Sequence, residues 1–244
     1  LERFGSPVYV RKEIVHNPHV VGELSQQGAI FVEELADVPP KSTVVFSAHG
    51  VSPEVRKQSE ELQLNVIDAT CPLVTKVHLE AIKFAKEGYT ILLVGHKGHE
   101  EVDGTMGEAP DVTTLVQDTN SARLVEVTDP EKVVVLTQTT LSVRDTLDII
   151  EVLRERFPKM VNRNDICYAT SNRQAALKAI ADEVELVLVI GAENSSNCNR
   201  LREVAEAEGV TAYLINGPDQ VKESWLEGIT KIGVTSGAST PEWV

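Results

Sequence analysis

The sequence predicts an α/β protein built as three pseudo-symmetric βαβ-type lobes in a trefoil around a central cavity. Three observations predict it. Short apolar runs alternate with helical patterns along all 244 residues, the order that gives parallel sheets with helices packed on them. One unit then recurs three times: a strand feeding a first polar loop, and later a strand feeding a second polar loop that enters a helix. The second loops also read alike, as SAHGVSPE (47–54), TQTTLSVR (137–144) and TSGASTPE (235–242).

Taken in order, residues 8–10 read as a strand, followed by a polar loop ending at His16. Asn17 then caps a helix with Pro18 at its first position and Gly28 past its end. Strands are expected at 30–32 and, after the Pro39–Pro40 turn, at 43–46; Ser52 and Pro53 start the next helix. The run at 64–67 leads to DATCPLVTKVH (68–78), where Pro72 opens a helix and Cys71 sits at its head. First-turn amides and the helix dipole favour a thiolate there, although a buried capping cysteine is the plainer role for such a residue.

In the second lobe, apolar residues at 73, 77, 81, 84 and 85 form a helical stripe ended by Gly88. The continuous apolar run at 90–94 suits a buried parallel strand and empties into a loop, GHKGHEEVDG (95–104). A strand at 113–116, a short helix at 120–126 and a strand at 133–136 follow; a helix to Phe157 carries apolar residues at 143, 147, 150, 153 and 157. In the third lobe DICYATSNRQ (165–174) opens a helix to about Val184, then come a strand at 186–190 and the loop GAENSSNCN (191–199). A helix to Gly209, a strand at 212–215, a helix near 218–226 and a strand at 232–234 complete the plan. The lobes are expected at 1–70, 71–166 and 167–244.

Cys71 and Cys167 head equivalent helices in lobes two and three. Symmetry asks for a third such helix in lobe one, before Leu1; the sequence lacks an initiating Met and is expected to be a fragment. Composition narrows the function. Hydrophobic residues are 42% and charged residues 25%, ordinary for a globular protein. No apolar run approaches the ~20 residues of a membrane helix, and no signal peptide pattern is present. A net charge of −14 argues against nucleic-acid binding and requires any anionic ligand to be held by local donors. Three widely spaced cysteines suit a reducing compartment.

Ligands of open α/β sheets sit at the carboxyl ends of strands, where all these loops lie. The loops carry His16, His49 and His99, the hydroxyls of Thr139, Ser195, Ser196 and Ser239, the amide of Asn197 and the carboxylate of Glu101. Neutral donors, helix N-termini and protonated imidazole suit a phosphate or diphosphate. A carboxyl buried among anion-binding groups has its pKa raised and suits proton transfer. Two thiolates plus a third from the symmetry-related helix suit zinc or a cubane iron–sulfur cluster with one open iron, and spacing does not choose between them. His19, His78 and His96 read as surface or packing residues, Glu100 and Asp103 as solvated, and Cys198, in a first-loop position, as a bystander.

At YVRKEIVHN, FSAHGVS, DATCPLVTKVH, GHKGHEEVDGTMG, TQTTLSV, DICYATSNRQ, NSSNCNRL and GVTSGASTPEW the sequence resembles the LytB-type 4-hydroxy-3-methylbut-2-enyl diphosphate reductases of the non-mevalonate isoprenoid pathway. The resemblance implies a three-lobed fold around a 4Fe-4S cluster, with Cys71 and Cys167 as two of its ligands and the third cysteine upstream of residue 1. It implies diphosphate and substrate contacts at His16, His49, His99, Ser195, Ser196, Asn197 and Ser239. Glu101 is implied as proton donor, with Thr139 helping to hold the substrate hydroxyl. It further implies reductive removal of that hydroxyl from an allylic diphosphate, an electron donor of ferredoxin or flavodoxin type, and a bacterial cytoplasm or plastid stroma. A cluster-less diphosphate-binding homologue and a zinc-dependent hydrolase are the competing expectations.

Overall fold

The computed structural model describes residues 5–163 and 165–244. The first four residues of the expected first lobe, and Asn164 of the second, lie outside the described residues. Three sheets form among the described residues, and every strand pair in them is parallel. The first contains β1 (Val8–Arg11), β2 (Ala29–Val32), β3 (Thr43–Phe46) and β4 (Asn65–Asp68), in the order β2-β1-β3-β4. The second contains β5 (Thr90–Val94), β6 (Thr113–Val116), β7 (Val133–Thr137) and β8 (Val161–Asn162), in the order β6-β5-β7-β8. The third contains β9 (Leu186–Ile190), β10 (Thr211–Ile215) and β11 (Ile232–Ser236), in the order β10-β9-β11. In each sheet the earliest strand is central, flanked by the second on one side and the third on the other. The repeat read from the loops is therefore also a repeat of strand order.

The helices are α1 (Pro18–Gln26), α2 (Pro53–Glu61), α3 (Pro72–Lys86), α4 (Glu100–Glu108), α5 (Thr119–Leu124), α6 (Val143–Arg156), α7 (Tyr168–Ala181) and α8 (Ser196–Ala207). Their starts follow local chemistry. The Asn17 side-chain oxygen accepts from the amides of His19 and Val20 at 3.0 and 3.3 Å, and Ser52 accepts from Val55 at 3.4 Å, each just before a proline. Cys71 and Cys167 are the N-caps of α3 and α7.

Four sequence expectations change. Residues 100–104 belong to α4 rather than to a loop, because His99 caps a turn rich in acidic residues that suit a helix N-terminus. The helix expected near 218–226 is two separate 3-10 turns, Pro218–Gln220 and Glu223–Trp225. The strand β8 lay unnoticed in a two-residue run. The core stripe of α3 runs through Val74, Val77, His78, Ala81 and Phe84 rather than through Leu73, and on α6 Thr146 and Ile149 are buried while Leu147 is exposed.

The chain divides into two compact units. One comprises Leu1–Ile14, Leu24–Thr139 and Arg144–Ile166, and holds the first two sheets. Its cores gather Leu35, Val44 and Phe46 around the first sheet, and Ile91, Leu93, Leu136 and Phe84 around the second. Every residue of β7 is buried, as a continuous apolar strand covered on both faces requires; each such large side chain contributes about 1.5–3 kcal/mol. The other unit comprises Val15–Glu23, Thr140–Val143 and Cys167–Val244. Its core packs Val187 and Val189 of β9 against Leu177 of α7 and Leu201 of α8.

Candidate active site

In the first unit, α4 begins where β5 and its short loop end, and its cap sets the site. The His99 Nδ1 accepts the main-chain N–H of Glu101 at 3.2 Å, so the proton of the neutral ring is on Nε2. Glu101, one residue into the helix, is buried at 5% exposure. Thr139, just past β7, donates its main-chain N–H to Glu101 Oε2 at 2.9 Å, and its hydroxyl reaches both carboxyl oxygens at 2.9 and 3.0 Å. Burial pushes the Glu101 carboxyl above its ordinary range, against the smaller opposing pull of the Thr139 bonds and of His49. Nearby, the rings of His49 and His99 meet edge to face with centroids 5.9 Å apart.

Glu100 was expected to be solvated, and it is not. Its side chain is 13% exposed. Its Oε2 accepts from Ser47 Oγ and from His49 Nδ1, both at 3.2 Å, and Lys12 Nζ lies 3.7 Å from Oε1. Asp103 is exposed, as expected. His78 is buried against Glu108, and His96 is exposed.

In the second unit, Ser195 caps α8 by accepting from the amide of Cys198 at 3.4 Å. Ser196 Oγ donates to the Thr140 carbonyl at 3.2 Å. The Asn197 amide oxygen accepts from Ala238 N at 2.9 Å, and its NH2 donates to Thr170 Oγ1 at 3.4 Å. Ser239 Oγ donates to the His16 carbonyl at 3.2 Å. The structure thus brings His49, His99, Glu101 and Thr139 together in one unit, and His16, Ser195, Ser196, Asn197 and Ser239 in the other.

The three cysteines form no disulfide. Cys71 makes no capping hydrogen bond through its side chain, and the Cys167 thiol accepts from Ala169 N at 3.4 Å. Both are partly exposed at helix N-termini, so their sulfurs fit as thiolate ligands of a metal or an iron–sulfur cluster. Cys198 does not fit. It is fully buried, burial pushes its thiol pKa up, and its sulfur fills a gap where a Cβ on Gly191 or Gly237 would lie 2.3 or 2.2 Å away. Among the described residues no group of three or more His, Cys, Asp or Glu is placed to hold a metal ion.

A family model described as LytB protein matches residues 1–244. The chain belongs to the LytB family. It is 57% identical to the 4-hydroxy-3-methylbut-2-enyl diphosphate reductase of Corynebacterium diphtheriae, over 99% of this chain and 74% of that one. It is 55% identical to the Leifsonia xyli enzyme of the same name, over 99% of this chain and 73% of the other. The solved structure of the E-1-hydroxy-2-methyl-but-2-enyl-4-diphosphate reductase from Plasmodium falciparum superimposes with a TM-score of 0.97 at 41% identity, covering 99% of this chain and 77% of that one. This LytB chain is accordingly an oxidoreductase, and its three parallel sheets with their helices are the family's α/β fold. No helix among the described residues is long and apolar enough to cross a membrane.

Sequence reasoning missed two residues bonded into the cluster around His49, Ser47 and Glu100. The available signal for Glu100 is its place at the first position of a helix capped by His99, where an acidic residue is favoured.

Proposed function

We propose that this LytB chain acts as a 4-hydroxy-3-methylbut-2-enyl diphosphate reductase, removing the substrate hydroxyl with two electrons and two protons to give isopentenyl and dimethylallyl diphosphate. The observation that carries the reading is Glu101, a buried carboxyl with a raised pKa that is gripped by Thr139. A buried carboxyl whose pKa is raised holds its proton more firmly than an exposed one, which suits donation to a poor leaving group. The Thr139 hydroxyl spends its proton on Glu101, so its oxygen is left as an acceptor for the substrate hydroxyl. That arrangement would hold the leaving oxygen within reach of the acid.

His16, His49, His99, Ser195, Ser196, Asn197 and Ser239 are assigned to the diphosphate and substrate. Their chemistry supports this: imidazoles, hydroxyls and an amide can bind an anion with no lysine or arginine among these seven residues. Cys71 and Cys167 would hold a 4Fe-4S cluster, and the buried Cys198 leaves its third thiolate to come from outside residues 1–244. When bound, that cluster would supply the electrons and a Lewis-acidic iron. We assign the lobes to 1–70, 71–166 and 167–244, the electron donor to the ferredoxin or flavodoxin type, and the compartment to the bacterial cytoplasm or plastid stroma.

Visible and EPR spectra of the full-length protein reconstituted with iron and sulfide test the reading. The expected result is a cluster signal that Cys71→Ser and Cys167→Ser each weaken, whereas Cys198→Ser leaves it in place. A colourless protein, or a signal indifferent to Cys71 and Cys167, would overturn it.

A further inference from the structure

Glu100 has no role in the function proposed above, yet its carboxylate is held by side chains from two other elements. Ser47 and His49 belong to the loop after β3, Lys12 follows β1, and Glu100 itself is the first residue of α4. Lys12 adopts a left-handed backbone conformation (φ 55°), uncommon for a residue with a side chain and found where surrounding structure imposes it. A carboxylate accepts and cannot donate, so the proton in the 3.2 Å contact sits on His49 Nδ1. The ring is thereby turned so that Nε2 is its other polar atom, facing away from Glu100. Next to it, His99 is fixed in the opposite sense, with Nδ1 as acceptor and the proton on Nε2. The two rings therefore present different hydrogen-bonding faces, each set by the first turn of α4.

We propose that Glu100 is a positioning residue that acts through His49, fixing the orientation and protonation pattern of the ring that grips the substrate's anionic group. Lys12 Nζ lies 3.7 Å from the other carboxyl oxygen, Oε1, while Ser47 donates to Oε2 and fixes the rotation of the carboxylate. Glu101, one residue on, is turned to Thr139 instead, so adjacent glutamates divide two tasks: one orients a binding group, the other carries a proton. This inference rests on the reading of His49 as a substrate contact.

The test is a double-mutant cycle in the reconstituted full-length enzyme, reading KM and kcat separately. Glu100→Ala is expected to raise KM by about tenfold, the scale of a charge-assisted hydrogen bond, with kcat changed by less than about twofold. Glu100→Gln, which keeps the shape and an acceptor oxygen, is expected to raise KM by a smaller factor. In a His49→Phe background, Glu100→Ala is expected to leave KM where His49→Phe alone puts it. If His49→Phe raises KM while Glu100→Ala does not, or if the two effects simply multiply, the role assigned to Glu100 is wrong and the reading of His49 stands. If His49→Phe leaves KM unchanged, that reading fails and the inference fails with it.

Discussion

Thr139 binds Glu101 twice, through its main-chain N–H to Oε2 at 2.9 Å and through a hydroxyl within 3.0 Å of both carboxyl oxygens. Thr139 follows β7 and Glu101 lies in α4, which follows β5, so the pair forms where β5 and β7 lie side by side. Burial and these bonds pull the acid in opposite directions, and burial wins. Glu101→Gln is therefore expected to cut turnover by roughly 10²–10⁴-fold while substrate affinity stays close to its original value. Thr139→Val removes the hydroxyl bond that favours the ionised form, so the alkaline limb of the turnover profile should move to higher pH. Steady-state kinetics across pH check both; unchanged turnover in Glu101→Gln removes the acid's role.

The same burial has a stability consequence of defined sign. A carboxyl whose folded pKa is raised keeps its proton at pH values where the unfolded chain has released it. Stability from this group is full below the ordinary carboxyl range and is lost as pH rises through the raised value. Glu101→Gln, neutral at every pH, should therefore melt at a higher temperature than the parent near pH 8, as expected where an active site is held at some expense in stability. Thermal melts at pH 4 and pH 8 test this, with the advantage of the variant growing toward pH 8.

His78 gives the opposite sign. Its Nδ1 lies 2.8 Å from Glu108 Oε1, which also takes Arg56 Nη1 at 2.9 Å. Its Nε2 is buried without a hydrogen-bond partner, where Cβ atoms on Gly50 and Gly104 would come within 3.3 and 3.2 Å. Burial lowers the pKa of this ring below 6.5 despite the pull of Glu108. The unfolded chain then takes up a proton first as pH falls, so this stability is present above about 6.5 and lost as pH drops toward the folded value. His78→Gln is expected to cost about 1–3 kcal/mol at pH 8 through lost packing, and the gap to the parent should narrow between pH 7 and pH 5. Urea unfolding at both ends of that window checks it; a constant gap would refute it.

The three βαβ units were legible because buried parallel strands are nearly pure Val, Ile and Leu, as in β5, β7 and β9, and because Pro and Gly mark their helices. The caps at Asn17, Ser52, Cys71 and Cys167 were legible for the same local reason. What stayed hidden depends on neighbours distant in sequence. Glu100 looks like any exposed acid until the loop after β3 lies against it, and α4 has a weak apolar pattern because Gly104 and Gly107 serve close packing against His78 and Ser52. His78 has no helical-stripe signal as a polar residue, yet it occupies a core position. The Thr139–Glu101 pair was approached only through loop position and family resemblance, since nothing local in TQTTLSV announces its partner.

Cys198 and Gly237 fit each other so closely that each limits what the other can be. The buried sulfur lies where a Cβ on Gly237 would be only 2.2 Å away, and Gly237 N donates to the Ile190 carbonyl at 2.9 Å, holding that loop against the end of β9. One residue on, the amide of Ala238 bonds Asn197, the residue before Cys198. Gly237→Ala must push the thiol or the loop aside, and overpacking of this kind costs about 1–3 kcal/mol. Cys198→Ala instead leaves a small void and loses the contacts of one sulfur, a cost of about 1 kcal/mol. In the double variant the new methyl enters the space vacated by the sulfur. Its loss of stability should therefore be smaller than the sum of the single losses, and urea unfolding of the four proteins measures the difference. Simple additivity would mean that the loop relieves the clash by moving, with Asn197 then displaced from Ala238.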